Sequence, residues 1–595
     1  MTQDRIRRLE KLRRKERADV LIVGGGINGI STFRELALQG VDVVLVDRGD
    51  FMSGASAAPS RMIHGGLRYM ENGEFGLVRE SLRERNALLA NASHYVRPLP
   101  TLIPIADHFS GVSAAVRRFL GGQPKPGPRG SVIVKLGLTL YDLYAGARRV
   151  LPRHRFLSGP ELRAQWPALR SDIACGAVYY DARITYPERL GLELILDTEA
   201  AAPKALALNH VGLAARAGEK VVLSDSLTKA ELILAPRIVV NATGAWIDMT
   251  NDALAQSPPR LIGGTKGSHL VIDNTRLRRA LGDAMVYYAN RDGRICIAFQ
   301  HLGHVLAGST DIRVDTPEGV SCEAVESDYI LQSLREIFPA IEIGEADIIY
   351  RFSGVRPLPA STTEVNAEIS RDHRCEWLSP DAGAAIPVLN LIGGKWTTFR
   401  AFGAEAADAV LARLDTDRQR TTETLAIGGG RGFPADEESR TEWIAKTAAA
   451  NGLSAECVGR LLDRYGTRAQ ALYAELKPDD GFASLPHYSR REIEWLVENE
   501  QVATLSDLIL RRMALAMTGE LSLAGITEIS IIVAAVLGWD ETRRTAETTA
   551  LLARLARDHG LTAEMLRQRN PREGIPYVRQ QESAHEPAVS SRQVP

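Results

Sequence analysis

The sequence is short of cysteine, of long apolar runs and of any excess of charge. Its five cysteines, Cys175, Cys296, Cys322, Cys375 and Cys457, are scattered singly, with no C-x-x-C spacing. That excludes a disulfide framework and a cysteine-built zinc site, and it fits a reducing compartment. No apolar run reaches the ~18–20 residues a membrane span needs. The nearest, "ISIIVAAVLGW" from Ile529 to Trp539, reads as a buried helix. The first seventeen residues lack the apolar core of a secretion signal. A formal net charge of −1 over 595 residues argues against a general nucleic-acid partner. Any anion recognition must therefore be local.

What is there suits a large globular protein. The chain is 45% apolar and 24% charged, and its length allows several domains of roughly 100–200 residues. Between Arg5 and Arg17 stand eight Arg or Lys against two Glu. This extension is expected to be a solvated helix, or alternatively a contact for anionic lipid. After "LAIGGGRGFP" the pattern turns helical throughout, so residues 428–437 read as a linker and 438–575 as a helical domain that packs, dimerises or docks on a membrane. The tail from 576 to 595 has too little to bury and is expected to be disordered.

The clearest local signal lies near the start. "ADVLIVGGGINGISTFRELALQGVDVVLVDRGD" is an apolar strand, a glycine turn, a helix and a second strand. Gly24, Gly26 and Gly29 have the G-x-G-x-x-G spacing that permits the turn, admits a pyrophosphate and packs helix on strand. Asp47, 21 residues after Gly26, is placed to accept hydrogen bonds from an adenosine ribose and argues against an added 2′-phosphate. Two later strands end in glycine turns, at Gly244 in "NATGAWID" and at Gly393-Gly394 in "IGGKWTTFR". A helix opening at Thr397 and Thr398 would face the electron-rich side of a reduced flavin. A cofactor that the far end of the chain returns to is expected to be FAD rather than NAD.

A second concentration of chemistry is "APSRMIHGGLRYMENGEF", from Ala58 to Phe75, with two arginines, a histidine, a tyrosine and a double glycine. With "SRMIHGGLRYME", "DARITYPERL", "NATGAWID", "TKGSHLVI", "GSTDIR", "FSGVRPL", "ISRD" and "GGKWTTFR", the chain resembles the FAD-dependent glycerol-3-phosphate dehydrogenases from about Asp19 into the helical C-terminal region. The resemblance implies an α/β protein. A Rossmann-like FAD-binding domain of the glutathione-reductase or D-amino-acid-oxidase type would carry an inserted mixed or antiparallel substrate sheet and an all-helical C-terminal domain. On that basis residues 18–427 form the oxidoreductase region, behind a basic extension at 1–17. FAD-binding segments would run about 18–95, 160–259 and 350–412, and the substrate domain about 96–159 and 260–349.

The same resemblance implies oxidation of sn-glycerol 3-phosphate to dihydroxyacetone phosphate, with electrons passed to a membrane quinone. It also implies a homodimer lying peripherally on the cytoplasmic face of the inner membrane. By position, Arg68, Tyr69, Arg356 and Arg371 would bind the substrate, arginine being suited to phosphate by its planar fork. Arg356 would stabilise the developing alkoxide. His64 is the candidate base, because an imidazole titrates near operating pH; its alternative role is a structural bond beside the flavin. FAD contacts are expected at Gly24, Gly26, Asn28, Gly29, Asp47, Ser56, Ser60, Arg61, Gly65, Gly244, Lys395, Thr397 and Thr398, and no metal is expected. Arg61 and Lys395 have surface or charge-neutralising alternatives, and the threonines a helix-capping one. His269 and Asp311 are either functional or structural. Departures from the family are Ala57, Pro59, Trp396, and the stretch 106–130, which reads as an insertion. They leave open a longer polyol phosphate such as erythritol phosphate; oxygen as acceptor, as in a minority of the family, and, more remotely, a flavin-binding protein without turnover are separate alternatives.

Overall fold

The computed structural model describes residues 1–67, 69, 73–107, 131–145, 150–255, 259–290, 292–360, 372–378, 386–476 and 481–569. The strand Arg17–Val23, apolar and buried from Val20 to Val23, is the centre of an eight-stranded sheet. It pairs in parallel with Val43–Val46 on one side and Glu231–Asn241 on the other, with Val20 opposite both Val43 and Ile238. A strand buried on both faces needs helices above and below. Helix Ile27–Ala37 covers one face and packs against helix Phe399–Leu414. The two approach so closely that a Cβ at Gly403 would lie 2.2 Å from Ser31 Oγ.

The second sheet has ten strands and is mixed. Its strand Thr265–Ile272 is wholly buried and pairs antiparallel with both His304–Gly308 and Ile348–Arg356. Val96–Ile105 runs antiparallel to Cys175–Ile184 along its whole length. The strand Cys175–Ile184 lies within a segment expected for the FAD domain, and Ile348–Arg356 does so from residue 350 onward, yet both belong to this sheet. A two-residue strand, Met62–Ile63, joins its edge against Arg183 and Ala182, and so carries the next residue, His64, to the border between the sheets.

From Glu437 the chain is helical, as the pattern predicts, and the helices bury Leu496, Ile526, Ile529 and Leu551 together with Tyr350 and Phe352 of the substrate sheet. The stretch expected as a linker is a packed junction where it begins. Gly428, Gly429 and Gly430 are buried, and a Cβ at Gly429 would meet Tyr465 O at 2.1 Å.

The basic N-terminal extension departs from the expected solvated helix. It is a helix, Gln3–Arg14, but Arg5, Leu9 and Leu12 are buried against the FAD-binding sheet. Arg5 bonds Asn209 and pairs with Asp225, Arg8 pairs with Glu199, and the Met1 amine donates to Leu537 O of the helical domain. Part of the apparent basic excess is thus matched by partners about two hundred residues away. Arg7 and Arg14 remain 75% and 83% exposed.

Candidate functional site

The glycine turn leaves no room for side chains. Gly24 has φ +110°, and a Cβ there would lie 2.6 Å from Ala242 O; one at Gly29 would lie 2.0 Å from Gly24 O. Only glycine tolerates both demands. Asp47 accepts the amide N–H of Gly25 at 2.7 Å and of Gly49 at 2.8 Å, while desolvation raises its pKa above the ordinary carboxylate value. Ser56 Oγ accepts the Ile27 amide at 2.9 Å, so segment 53–58 lies across the N-terminus of the helix where a pyrophosphate would sit. A Cβ added at Gly244, which has φ +61°, would meet nothing closer than Pro357 at 4.0 Å, so the backbone there is open to a ligand.

The Gly393-Gly394 turn closes the other side, with both residues at positive φ. Asn28 Nδ2 donates to Gly393 O at 3.3 Å, and Trp396 Nε1 donates to Ser56 O at 3.1 Å. Asn28 Oδ1 and Thr398 Oγ1 are both buried without a protein partner. Buried polar atoms are normally satisfied, so two orphans beside one glycine turn fit a flavin that supplies the missing bonds. Thr397 Oγ1 accepts the His64 amide at 3.1 Å. Lys395 Nζ bonds Ser81 Oγ at 2.8 Å and lies 4.2 Å from the centre of the Tyr69 ring.

His64 is half-buried, 6.0 Å ring to ring from Tyr69. The next residue is fixed from behind: Asp181 Oδ1 accepts the Gly65 amide at 2.9 Å, the Tyr141 hydroxyl at 2.6 Å and Arg85 at 2.9 Å. Arg356 ends its strand lying across Gly267, where a Cβ would meet its guanidinium at 2.0 Å. It donates to Thr310 O, to Ser309 Oγ at 3.1 Å and to Asp311 Oδ1 at 3.1 Å, so Asp311 is the partner of Arg356. His269 bonds Ser60 Oγ at 2.9 Å and stacks on Phe352. Burial, with Arg356 and Arg61 nearby, lowers its pKa to about 3, so it stays neutral. The Ser60–His269 bond ties the His64 segment to the sheet that carries Arg356.

Arg61 departs from the free flavin contact the sequence suggests. Its guanidinium is buried in a bidentate pair with Glu188, at 2.8 and 2.9 Å. Arg68 and Arg371, two of the four expected substrate ligands, lie outside the described residues. Asp181, Arg85 and Tyr141 are additions that the sequence reading missed. Asp181 and Glu188 both stand in "DARITYPERL", so that motif holds the signal without revealing what its acids hold. Among the described residues, Asp50, His210 and Asp507 bring three potential metal-ligand atoms together, but Asp50 is paired with Arg512 and Asp507 with His210.

Comparison with known proteins agrees with this geometry. Residues 19–387 match the family described as FAD dependent oxidoreductase, and residues 420–544 match the C-terminal domain of alpha-glycerophosphate oxidase. The chain is 33% identical over 536 residues to a glycerol-3-phosphate dehydrogenase of Synechocystis sp., covering 86% of this chain and 92% of the relative. It is 29% identical to the aerobic glycerol-3-phosphate dehydrogenase of Bacillus subtilis, covering 84% and 87%. Its fold matches the crystal structure of the glycerol-3-phosphate dehydrogenase from Bacillus halodurans complexed with FAD, with TM-score 0.71 and 23% identity over 93% of this chain and 98% of that one.

Proposed function

This chain belongs to the FAD-dependent glycerol-3-phosphate dehydrogenase family, and from that premise we propose that it oxidises sn-glycerol 3-phosphate to dihydroxyacetone phosphate and passes the electrons to a membrane quinone. The observation that carries this reading is the meeting of His64, Tyr69 and Lys395 with the two orphaned polar atoms at the Gly393-Gly394 turn, tied through Ser60 and His269 to Arg356.

FAD, when bound, supplies the acceptor for the hydride that leaves the carbinol carbon. Gly24, Gly26 and Gly29 would give the pyrophosphate its approach, Asp47 would take the ribose hydroxyls, and Asn28 and Thr398 would offer buried polar atoms to the flavin. Gly65, held by Asp181, would offer its bare backbone to the flavin. Arg356 stabilises the oxygen that gains negative charge as the hydroxyl proton departs. His64 accepts that proton. His269 is unsuited to the task, because an imidazole with a pKa of about 3 is too weak a base near neutrality. Arg68, Tyr69 and Arg371 bind the phosphate, and Lys395 adds charge beside Tyr69. The homodimer and the peripheral position on the cytoplasmic face of a membrane complete the proposal. No described helix is long and apolar enough to cross a membrane.

Anaerobic titration with glycerol 3-phosphate, followed by flavin absorbance, tests the reading. Bleaching at low concentration supports it, whereas bleaching by erythritol phosphate alone moves the substrate to a longer polyol phosphate. An unchanged spectrum with both would overturn the reading. Peroxide formation under air would replace quinone with oxygen as the acceptor.

A further inference from the structure

A second cavity, of about 530 Å³, lies where the substrate sheet meets the C-terminal helices. Its walls come from the strand Ile348–Arg356, the turn Leu508–Arg512 with the residues that follow, and the end of helix Glu541–His559. It shares Ser53, Gly54, Ala55, Ala57, Ala58, Arg61 and Trp246 with the flavin-binding segments, but none of His64, Arg356, Lys395 or Thr397 lines it. Ser56, beside the alanines that line it, points the other way to the Ile27 amide, and none of Gly24, Gly26 or Gly29 lines the cavity, so it lies on the opposite side of this segment from the glycine turn.

Six arginines line this cavity, and their partners differ. Arg61, Arg189 and Arg512 are each held by a carboxylate in two-point pairing, with Glu188, Glu500 and Asp50. Arg557 is paired with Asp558. Arg554 has only the same Asp558, at 3.5 Å, and its Nε is buried without a partner. Arg511 is left over. It is 8% exposed, its Nε is buried and unsatisfied, and its one hydrogen bond runs to the carbonyl of neighbouring Leu510. Among the described residues, no carboxylate lies within ion-pair distance of it. Beside it Tyr350 and His559 stack at 4.5 Å, and His559 bonds the Arg351 carbonyl; the carboxylates of the wall, Glu188, Glu318 and Asp558, are paired with Arg61, Arg48 and Arg557. Consistently, His559 is lowered to about 4 by burial, with Arg511 and Arg554 adding to the shift.

An uncompensated guanidinium in a protein interior costs far more than a solvated one. Its position on the wall of a cavity, beside a second under-paired arginine, means that an entering anion would recover that cost. The guanidinium fork suits the oxygens of phosphate. The cavity is much larger than one phosphate group, and Leu302, Phe352, Ile509, Met513 and Met517 supply apolar wall for an attached organic body. We propose that this interdomain cavity binds a phosphate ester, with Arg511 and Arg554 as its anion ligands, at a site separate from the flavin site. Because its walls belong to both the substrate sheet and the helical domain, the bound ester also fastens one to the other.

The proposal does not rest on the substrate reading above, and its test keeps the two apart. Phenyl phosphate is titrated calorimetrically into FAD-loaded Arg371→Gln protein, a background that removes a proposed phosphate ligand of the flavin site. Saturable binding is expected to persist there and to weaken at least tenfold when Arg511→Gln is added. Arg554→Gln should weaken it by a smaller factor. Thermal midpoints and flavin spectra check that each variant is folded, and Arg511→Met repeats the test with the volume kept. Vesicles of phosphatidylglycerol that displace the probe would identify the ester as a lipid headgroup; failure to displace it would identify a soluble ester. Absence of saturable binding, or binding indifferent to both arginines, overturns the proposal.

Discussion

Asp181 and Gly65 are joined across 116 positions of sequence by one hydrogen bond, 2.9 Å from the glycine amide to the carboxylate. The same oxygen also takes the Tyr141 hydroxyl and Arg85, both buried. A Cβ at Gly65 would lie 2.1 Å from Tyr141 Oη, so the glycine is trapped between its anchor and a wall. The segment that should touch the flavin is therefore positioned by groups that never meet it. Asp181→Asn keeps the shape but removes the charge facing Arg85, at a cost of about 3 kcal/mol. We expect a lower thermal midpoint together with an FAD Kd raised roughly tenfold, for about 1.4 kcal/mol of lost cofactor binding. Wild-type values for both in fluorescence and melting experiments would show that the bond positions nothing.

Arg356 offers a sharper test of chemistry, because its proposed role is toward the substrate oxygen and not toward FAD. Arg356→Gln should lower kcat/KM by about 10²–10³, as loss of an oxyanion donor does elsewhere, with flavin content unchanged. Arg356→Lys should recover little, since one ammonium cannot reproduce a guanidinium that bonds Ser309 and Asp311 together. Full activity of the lysine variant would reduce Arg356 to a simple point charge.

Much of this site is legible in the sequence because its signals are local. The glycine turn and Asp47 announce themselves by spacing, and the His64–Gly65–Gly66 run by its resemblance to the family. Arg61 reads as a flavin contact for the same reason, since it lies three residues before His64. Its true neighbour, Glu188, is 127 positions away, and no periodicity encodes that pairing. The same blindness hides the N-terminal helix, whose charge reads as a solvated face until Asn209, Asp225 and Glu199 are folded beneath it. The strands Cys175–Ile184 and Ile348–Arg356 fall into the wrong layer on a sequence reading because an apolar strand carries no mark of the sheet it joins.

Acid should loosen the protein through histidines buried in the neutral form. His269, at about 3, and His559, at about 4, both lie below the ordinary imidazole value of ~6.5. Between those limits the unfolded chain binds protons that the folded chain refuses, so stability falls as pH drops. At pH 5 each group costs about 2 kcal/mol relative to neutral pH. His210 works the opposite way: Asp507, with a smaller pull from Asp50, raises its pKa despite burial and nearby Arg5. Its contribution is complete at low pH and is lost as pH rises through that raised value. Melting midpoints at pH 7.5 and 5.0 should therefore fall toward acid, and His269→Gln should reduce the slope. An unchanged slope would exclude His269 as a source of it.

The N-terminal helix separates two roles that its composition merges. Its inner face, with Arg5 bonded to Asn209 and Asp225 and with Leu9 and Leu12 buried, holds the FAD-binding sheet. The Met1 amine reaches the helical domain at Leu537. Its outer face keeps Arg7, Arg13 and Arg14 in water. Arg5→Ala should destabilise the fold by about 3 kcal/mol, because it strands buried Asp225, and should leave vesicle binding unaltered in the protein that remains folded. Arg7→Gln, Arg13→Gln and Arg14→Gln together should do the reverse. Stability should change little, since exposed charges contribute little, while sedimentation with anionic vesicles falls, by about 1 kcal/mol of binding for each cation lost. Deleting the whole segment would confuse the two effects. If the triple variant sediments with vesicles as the wild type does, the outer face plays no part in membrane contact, and the helix is a structural strap alone.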